Sequence, residues 1–152
     1  MTEIEQLLAR DAIRALKARY FRAFDTKDWD TFVGLFTEDA WLEFDLAVPV
    51  PDERTPSARL EGRKAIGDHV SSPNVVAQTV HHGHTYEIEV VGENEARGIW
   101  AMEDIVDYGH SLIRGYGHYH ETYRREDGQW RFTSVHLTRL RYEQTLRNRI
   151  VL

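Results

Sequence analysis

Cysteine is absent from the 152 residues, which excludes a disulfide framework, a thiolate nucleophile and any cysteine-based zinc site. No apolar run approaches the ~18 residues that would suggest a membrane span. Positive charge is in deficit. With 19 Lys and Arg against 25 Asp and Glu, the formal net charge is −6, a poor balance for non-specific binding to nucleic acid or an anionic membrane. The opening Met-Thr-Glu-Ile-Glu is acidic, the wrong chemistry for a secretory signal, so a cytoplasmic protein is expected. Proline is scarce at 4 residues, and Pro49, Pro51 and Pro56 fall in one stretch. What is present is an ordinary globular mixture, 41% hydrophobic and 29% charged, in a length that suits one domain over residues 1–152.

Apolar residues at Leu8, Ala12, Leu16, Tyr20, Ala23 and Phe24 recur at helical spacing and predict one helix over the first 26 residues. Asp28 is a plausible N-cap for a shorter helix carrying Trp29, Phe32, Val33, Leu35 and Phe36. Ala40–Asp45 alternates as a strand does, whereas the proline-bearing stretch Leu46–Glu61 predicts irregular structure and a lid over a pocket mouth. A short helix is expected from Gly62 to Ser71. Long strands follow at Val75–Val91, Glu95–Tyr108, Leu112–Glu126 and Gln129–Tyr142, the last two joined by the hairpin dipeptide Asp127-Gly128. Helices first and hairpins second, with no βαβ alternation, predict an α+β fold with helices on one face of a curved antiparallel sheet. The tail Gln144–Leu152 ends on Ile150, Val151 and Leu152, an apolar end suited to cover by a partner subunit.

Strand alternation singles out ionisable side chains in apolar registers. Asp104 shares a face with Ala96, Gly98, Trp100, Met102 and Val106. It is either an inward carboxylate paired with an arginine or a polar group in an apolar pocket. Asp25 closes the first helix, where the macrodipole disfavours negative charge, and burial beside Tyr20, Phe21 and Phe24 would raise its pKa. Histidines cluster as His81-His82-Gly83-His84 and as His118-Tyr119-His120. Alternation puts His82 and His84 with Tyr86, Ile88 and Val90 and turns His81 outward, unless Gly83 marks a bulge that reverses the register. Arg139 and Arg141 share a face of the last strand, and either one is a candidate partner for an inward aspartate.

The opening segment IEQLLARDAIRALKARYFRAFDTKDWDTFVGLFTEDA, the VHHGHTYEIEV and GIWAMED strands and the closing GHYHETYRREDGQWRF hairpin together resemble the SnoaL-like branch of the nuclear-transport-factor-2-like superfamily. The set nearest in pattern contains bile-acid 7α-dehydratase, scytalone dehydratase and hexachlorocyclohexane dehydrochlorinase. The resemblance covers nearly the whole chain. It implies a cone-shaped α+β barrel, a curved antiparallel sheet wrapped by N-terminal helices around one deep apolar pocket. Carried over by position, it implies Tyr20, Asp25, His81 and Asp104 as the catalytic set and Arg139, or Arg141, as a pocket arginine. His82, His84, Trp41, Phe44, Trp100 and Tyr116 stand as candidates to shape the pocket.

An Asp25–His81 pair would fix the imidazole tautomer and raise its basicity, leaving the free nitrogen to take a proton from carbon. Tyr20, or Asp104 if protonated, would donate a hydrogen bond to a carbonyl or leaving oxygen. The implied activity is that of a cofactor-independent lyase, of dehydratase type, or an isomerase acting on a hydrophobic cyclic or aromatic small molecule. The rival readings are a non-catalytic small-molecule-binding protein or a dioxygenase-small-subunit-like protein. A metal enzyme built on His82 and His84 or on His118 and His120 lacks a nearby carboxylate at recognisable spacing. Expected partners are the substrate and further copies of the chain, as a homodimer or homotrimer, with no nucleic acid and no membrane.

Overall fold

A computed structural model describes residues 1–72 and 77–147. The chain runs α1 (Glu3–Asp25), α2 (Trp29–Gly34), β1 (Phe36–Asp45), β2 (Ser57–Glu61), α3 (Arg63–Val70), β3 (Gln78–Val90), β4 (Glu95–Asp107), β5 (Ser111–Glu126) and β6 (Gln129–Leu146). The strands form one curved, unclosed sheet in the order β2-β1-β6-β5-β4-β3. This is the expected α+β fold, with one refinement. Four neighbouring pairs are antiparallel, whereas β1 and β6 run parallel. Hairpin reasoning speaks only for strands adjacent in sequence, and β1 and β6 meet through a long crossover.

Local chemistry accounts for the helix ends. Thr2 Oγ1 accepts the Glu5 N–H at 3.2 Å while Glu5 Oε2 accepts the Thr2 N–H at 2.6 Å, a reciprocal capping box. Asp28 caps α2 through the Thr31 N–H, as expected. That helix stops at Gly34, and Phe36 opens β1 instead of extending α2. α1 buries Ala9, Ile13, Leu16, Tyr20 and Ala23 against the sheet's inner face, where Trp100, Met102, Tyr119, Tyr123, Phe132, Val135 and Leu137 complete the core.

The stretch expected to be irregular contains β2, which pairs with β1 from Asp45↔Ser57 to Trp41↔Glu61. Pro56 stands just outside it, so no ladder hydrogen bond is lost. Cross-strand polar contacts hold this edge: Ser57 Oγ donates to Glu43 at 2.7 Å, and Arg59 reaches Glu43 while lying over the Trp41 ring. The strand start expected at Val75 and the apolar end of the tail lie outside the described residues. Among those residues no helix is long and apolar enough to cross a membrane.

Candidate active site

Three register shifts decide which side chains face the helices. In β3, Gly83 pairs with Met102 and Tyr86 with Trp100, so β3 carries one extra residue and its faces exchange. Before the bulge Thr79, His81 and Gly83 point inward; after it Tyr86 and Ile88 do. The bulge therefore turns His81 towards α1, against simple alternation. Gly83 is required there, because a Cβ would lie 2.7 Å from the Phe21 ring. In β6, Phe132 pairs with Tyr123 and Ser134 with Thr122, then Arg139 with Gly117 and Arg141 with Tyr116. The second of these shifts falls after Arg139, which stays on the inner face with Leu137, and turns Arg141 outward, where it is exposed and pairs with half-buried Glu143.

The end of α1 places Asp25 against β3. His81 Nδ1 lies 2.6 Å from Asp25 Oδ1, the His81 backbone N–H donates to Oδ2 at 2.9 Å, and the Thr79 hydroxyl donates to Oδ1 at 2.9 Å. The His81 side chain is 10% exposed and that of Asp25 22%. Burial alone pushes the Asp25 carboxyl up, yet hydrogen bonds from His81 and Thr79 outweigh it and hold the group below its ordinary value. The raised pKa expected from the helix terminus and aromatic neighbours is thus reversed. Phe24 meets the His81 ring edge-on at 4.8 Å, and Phe21 stacks at 6.4 Å.

His81 lines a cavity of about 210 Å³ with Tyr20, Phe24, Lys27, Trp29 and Arg139, while Phe44, Leu137 and Val106 belong to its apolar wall. Burial, reinforced by the charges of Glu121, Asp104 and Asp25, pushes the Tyr20 phenol up, so its proton stays on at physiological pH. Asp104, 3% exposed, also lines the cavity. Its two oxygens accept a fork from Arg139 at 2.7 and 2.9 Å. Arg139 crosses β5 to reach it over Gly115, where a Cβ would sit 1.9 Å from the guanidinium and 2.1 Å from the carboxylate. With both oxygens engaged by N–H donors, Asp104 acts as an acceptor, not as the hydrogen-bond donor envisaged from sequence. Arg139 Nε is buried and has no partner among the described residues.

Several expected pocket residues lie elsewhere. The bulge turns His82 and His84 to the outer face, where both are exposed beside Glu103. Trp41 projects outward beneath Arg59, and Tyr116 pairs on the outer face with Glu103 and Arg141. Trp100 is inward but lies beyond the cavity, donating from Nε1 to the Tyr123 hydroxyl at 2.9 Å. No residue of Leu46–Glu61 lines the cavity, so that loop is not a lid over it here. Of Trp41, Phe44, Trp100 and Tyr116, Phe44 alone lines it.

Sequence reasoning missed Thr79 and Lys27. Thr79 stands two residues before His81 on the same strand face, so alternation could have found it; Lys27 is in a turn and carries no periodic signal. It also missed a buried ion pair between Lys17 and Glu121, with the Tyr123 hydroxyl donating to Glu121 at 2.5 Å. Burial lowers the Lys17 ammonium to about 8 against the opposing pull of Glu121. Its Nζ sits over the rings of Tyr119 at 3.5 Å and Tyr20 at 4.2 Å.

A broader depression of about 590 Å³ on the outer face is lined by Trp41, Ile99, His120 and His136 among others. There His136 Nε2 lies 3.0 Å from Asp45, and burial with the neighbouring His136 and His118 holds the His120 pKa down. Among the described residues no group of three or more His, Cys, Asp or Glu is placed to hold a metal ion.

A family model for a SnoaL-like domain matches residues 5–136. Among solved structures, a candidate scytalone dehydratase of Novosphingobium aromaticivorans superposes with a TM-score of 0.79 at 23% identity, covering 93% of this chain and 91% of that one. The hexachlorocyclohexane dehydrochlorinase LinA-type3 of Novosphingobium barchaimii gives 0.78 at 18% identity, covering 95% and 94%. The β subunit of a candidate aromatic-ring-hydroxylating dioxygenase of N. aromaticivorans gives 0.75 at 16%, covering 93% of each chain. At these identities the likeness is one of fold.

Proposed function

The chain belongs to the SnoaL-like domain family, and from that premise we propose that it is a cofactor-independent lyase or isomerase that removes a proton from a small cyclic or aromatic molecule. The observation that carries this reading is the 2.6 Å contact between Asp25 Oδ1 and His81 Nδ1 at the cavity wall. A carboxylate on Nδ1 sets that nitrogen as the N–H and leaves Nε2 with the lone pair. It also stabilises the imidazolium formed when Nε2 takes a proton.

The rest of the wall supports the second half of the reaction. Tyr20 keeps its proton and is a donor for a carbonyl or departing oxygen. Arg139, forked on Asp104, lines the same wall and holds a fixed positive charge there. In a dehydration, the C–H electron pair becomes the new C=C bond as His81 takes the proton; the C–O bond breaks, and the departing oxygen, hydrogen-bonded by Tyr20, receives that proton back from the imidazolium and leaves as water. In an isomerisation the proton returns to another carbon. The cavity of about 210 Å³ is smaller than the roughly 300–1,000 Å³ of sites for drug-sized ligands, which favours a one- or two-ring substrate.

The test is turnover of such compounds by wild type, His81→Ala and Asp25→Asn. Both variants are expected to stay folded and lose activity by about 10²–10⁴-fold, the usual contribution of a positioned base. Near-normal turnover by either would sink the pair. Tight binding without conversion by wild type would instead make the chain a binding protein.

A further inference from the structure

Asp25 is held by more than its histidine. Its Oδ1 also accepts from the Thr79 hydroxyl at 2.9 Å, and that hydroxyl in turn accepts from Lys27 Nζ at 2.9 Å. The direction of these bonds is fixed by valence. An ammonium only donates and a carboxylate only accepts, so the single hydroxyl hydrogen of Thr79 must point to Asp25.

Lys27 reaches Thr79 from an unusual backbone position. It follows the C-cap residue Thr26 with φ 62°, in the left-handed region that residues other than glycine seldom adopt. The turn is pinned by Lys27 N–H to the Phe24 carbonyl at 3.1 Å and Asp28 N–H to the Ala23 carbonyl at 2.8 Å. The side chain then folds back over the Phe24 and Trp29 rings, at 5.1 and 5.6 Å, so the ammonium lines the cavity instead of extending into water. Burial lowers its pKa while Asp25 opposes that fall. The other cation lining the cavity, Arg139, is already forked on Asp104. The cavity thus separates into two compensated sets, Arg139 with Asp104 and Lys27 with Asp25 through Thr79.

We propose that Lys27 and Thr79 are positioning residues of the base, forming a one-way hydrogen-bond relay that fixes the Asp25 carboxylate against His81. The inference rests on the reading of Asp25–His81 as the base. Without the relay, the Thr79 hydroxyl is free to rotate and Oδ1 loses its second donor, so Asp25 is less firmly held in the plane of the imidazole.

The experiment follows the Asp25 carboxyl carbon by NMR through an acid titration in wild type, Thr79→Val, Thr79→Ser, Lys27→Met and the double variant Thr79→Val/Lys27→Met. The valine is nearly isosteric, and backbone amide spectra report whether each fold is intact. The expected result is an upward shift of the Asp25 midpoint in Thr79→Val and in Lys27→Met, with Thr79→Ser at the wild-type value. Lys27→Met should add less than half of its own shift once Thr79 is valine, because the relay is serial. An unmoved midpoint in folded Thr79→Val would overturn the relay. So would a Lys27→Met shift of equal size in both backgrounds, the mark of a charge acting through space.

These titrations need no substrate, so they fail or succeed apart from the catalytic reading. Once a substrate is in hand, Thr79→Val should lower kcat by about tenfold with KM little changed, and Thr79→Ser should restore it. A unit change in both parameters for both variants would leave the relay without a positioning role. Loss of turnover in Asp25→Asn alongside an unmoved Asp25 midpoint in Thr79→Val would overturn only the relay.

Discussion

At the scale of single residues, the site depends on which nitrogen and which oxygen carry a proton. Asp25 sits below its ordinary 3.8 in the folded protein because donors from His81 and Thr79 outweigh burial. A depressed carboxyl contributes stability that is complete above its unfolded value and is lost as pH falls through the lower folded one. The gap in unfolding free energy between wild type and Asp25→Asn should therefore narrow as pH falls from about 5 through about 3.8 and below. Urea unfolding at a series of pH values in that range measures it; a gap that widens there would mean the carboxyl is raised instead. Asp25 and Asp104 were legible in the sequence because each is a charge out of place, one at a helix carbonyl end and one in an apolar register. Their surroundings were not. Asp25's charge state follows from donors on β3, and Asp104's role follows from an arginine that reaches it across a glycine.

At the scale of elements, bulges decide the outcome. Period-2 alternation correctly separated the faces of β4, which has no register shift, and it failed on β3 and β6, which do. A glycine in a strand hints at a bulge but does not say how many residues it adds, so His81, His82 and His84 could not be assigned by counting. The same limit left Arg139 and Arg141 undivided. The helix α1 is tied to β5 by the Lys17–Glu121 pair, whose side chains are 1% and 0% exposed. Breaking one partner of such a pair leaves a buried charge, so Lys17→Met or Glu121→Gln alone should each cost about 3–5 kcal/mol. The double variant should recover much of that loss. Urea midpoints for the four proteins form the cycle, and strict additivity of the two single losses would show that the groups do not depend on one another.

At the scale of the whole molecule, the fold is a curved sheet whose inner face is capped by helices near one end, leaving a small apolar cavity with a few convergent polar groups. The order of elements made this architecture readable before the structure, whereas the parallel β1–β6 pairing and the edge strand β2 follow from contacts distant in sequence. The central claim is that this cavity abstracts a proton from carbon. The most direct measurement is incubation of wild type and His81→Ala in D₂O with cyclic ketones and with aromatic and cyclic alcohols, followed by mass spectrometry. Wild type is expected to eliminate water or to place deuterium on the carbon beside the activating group, and His81→Ala to do neither. Compounds that bind both proteins yet come back unconverted and free of deuterium, or that His81→Ala labels as fast as wild type, would contradict it.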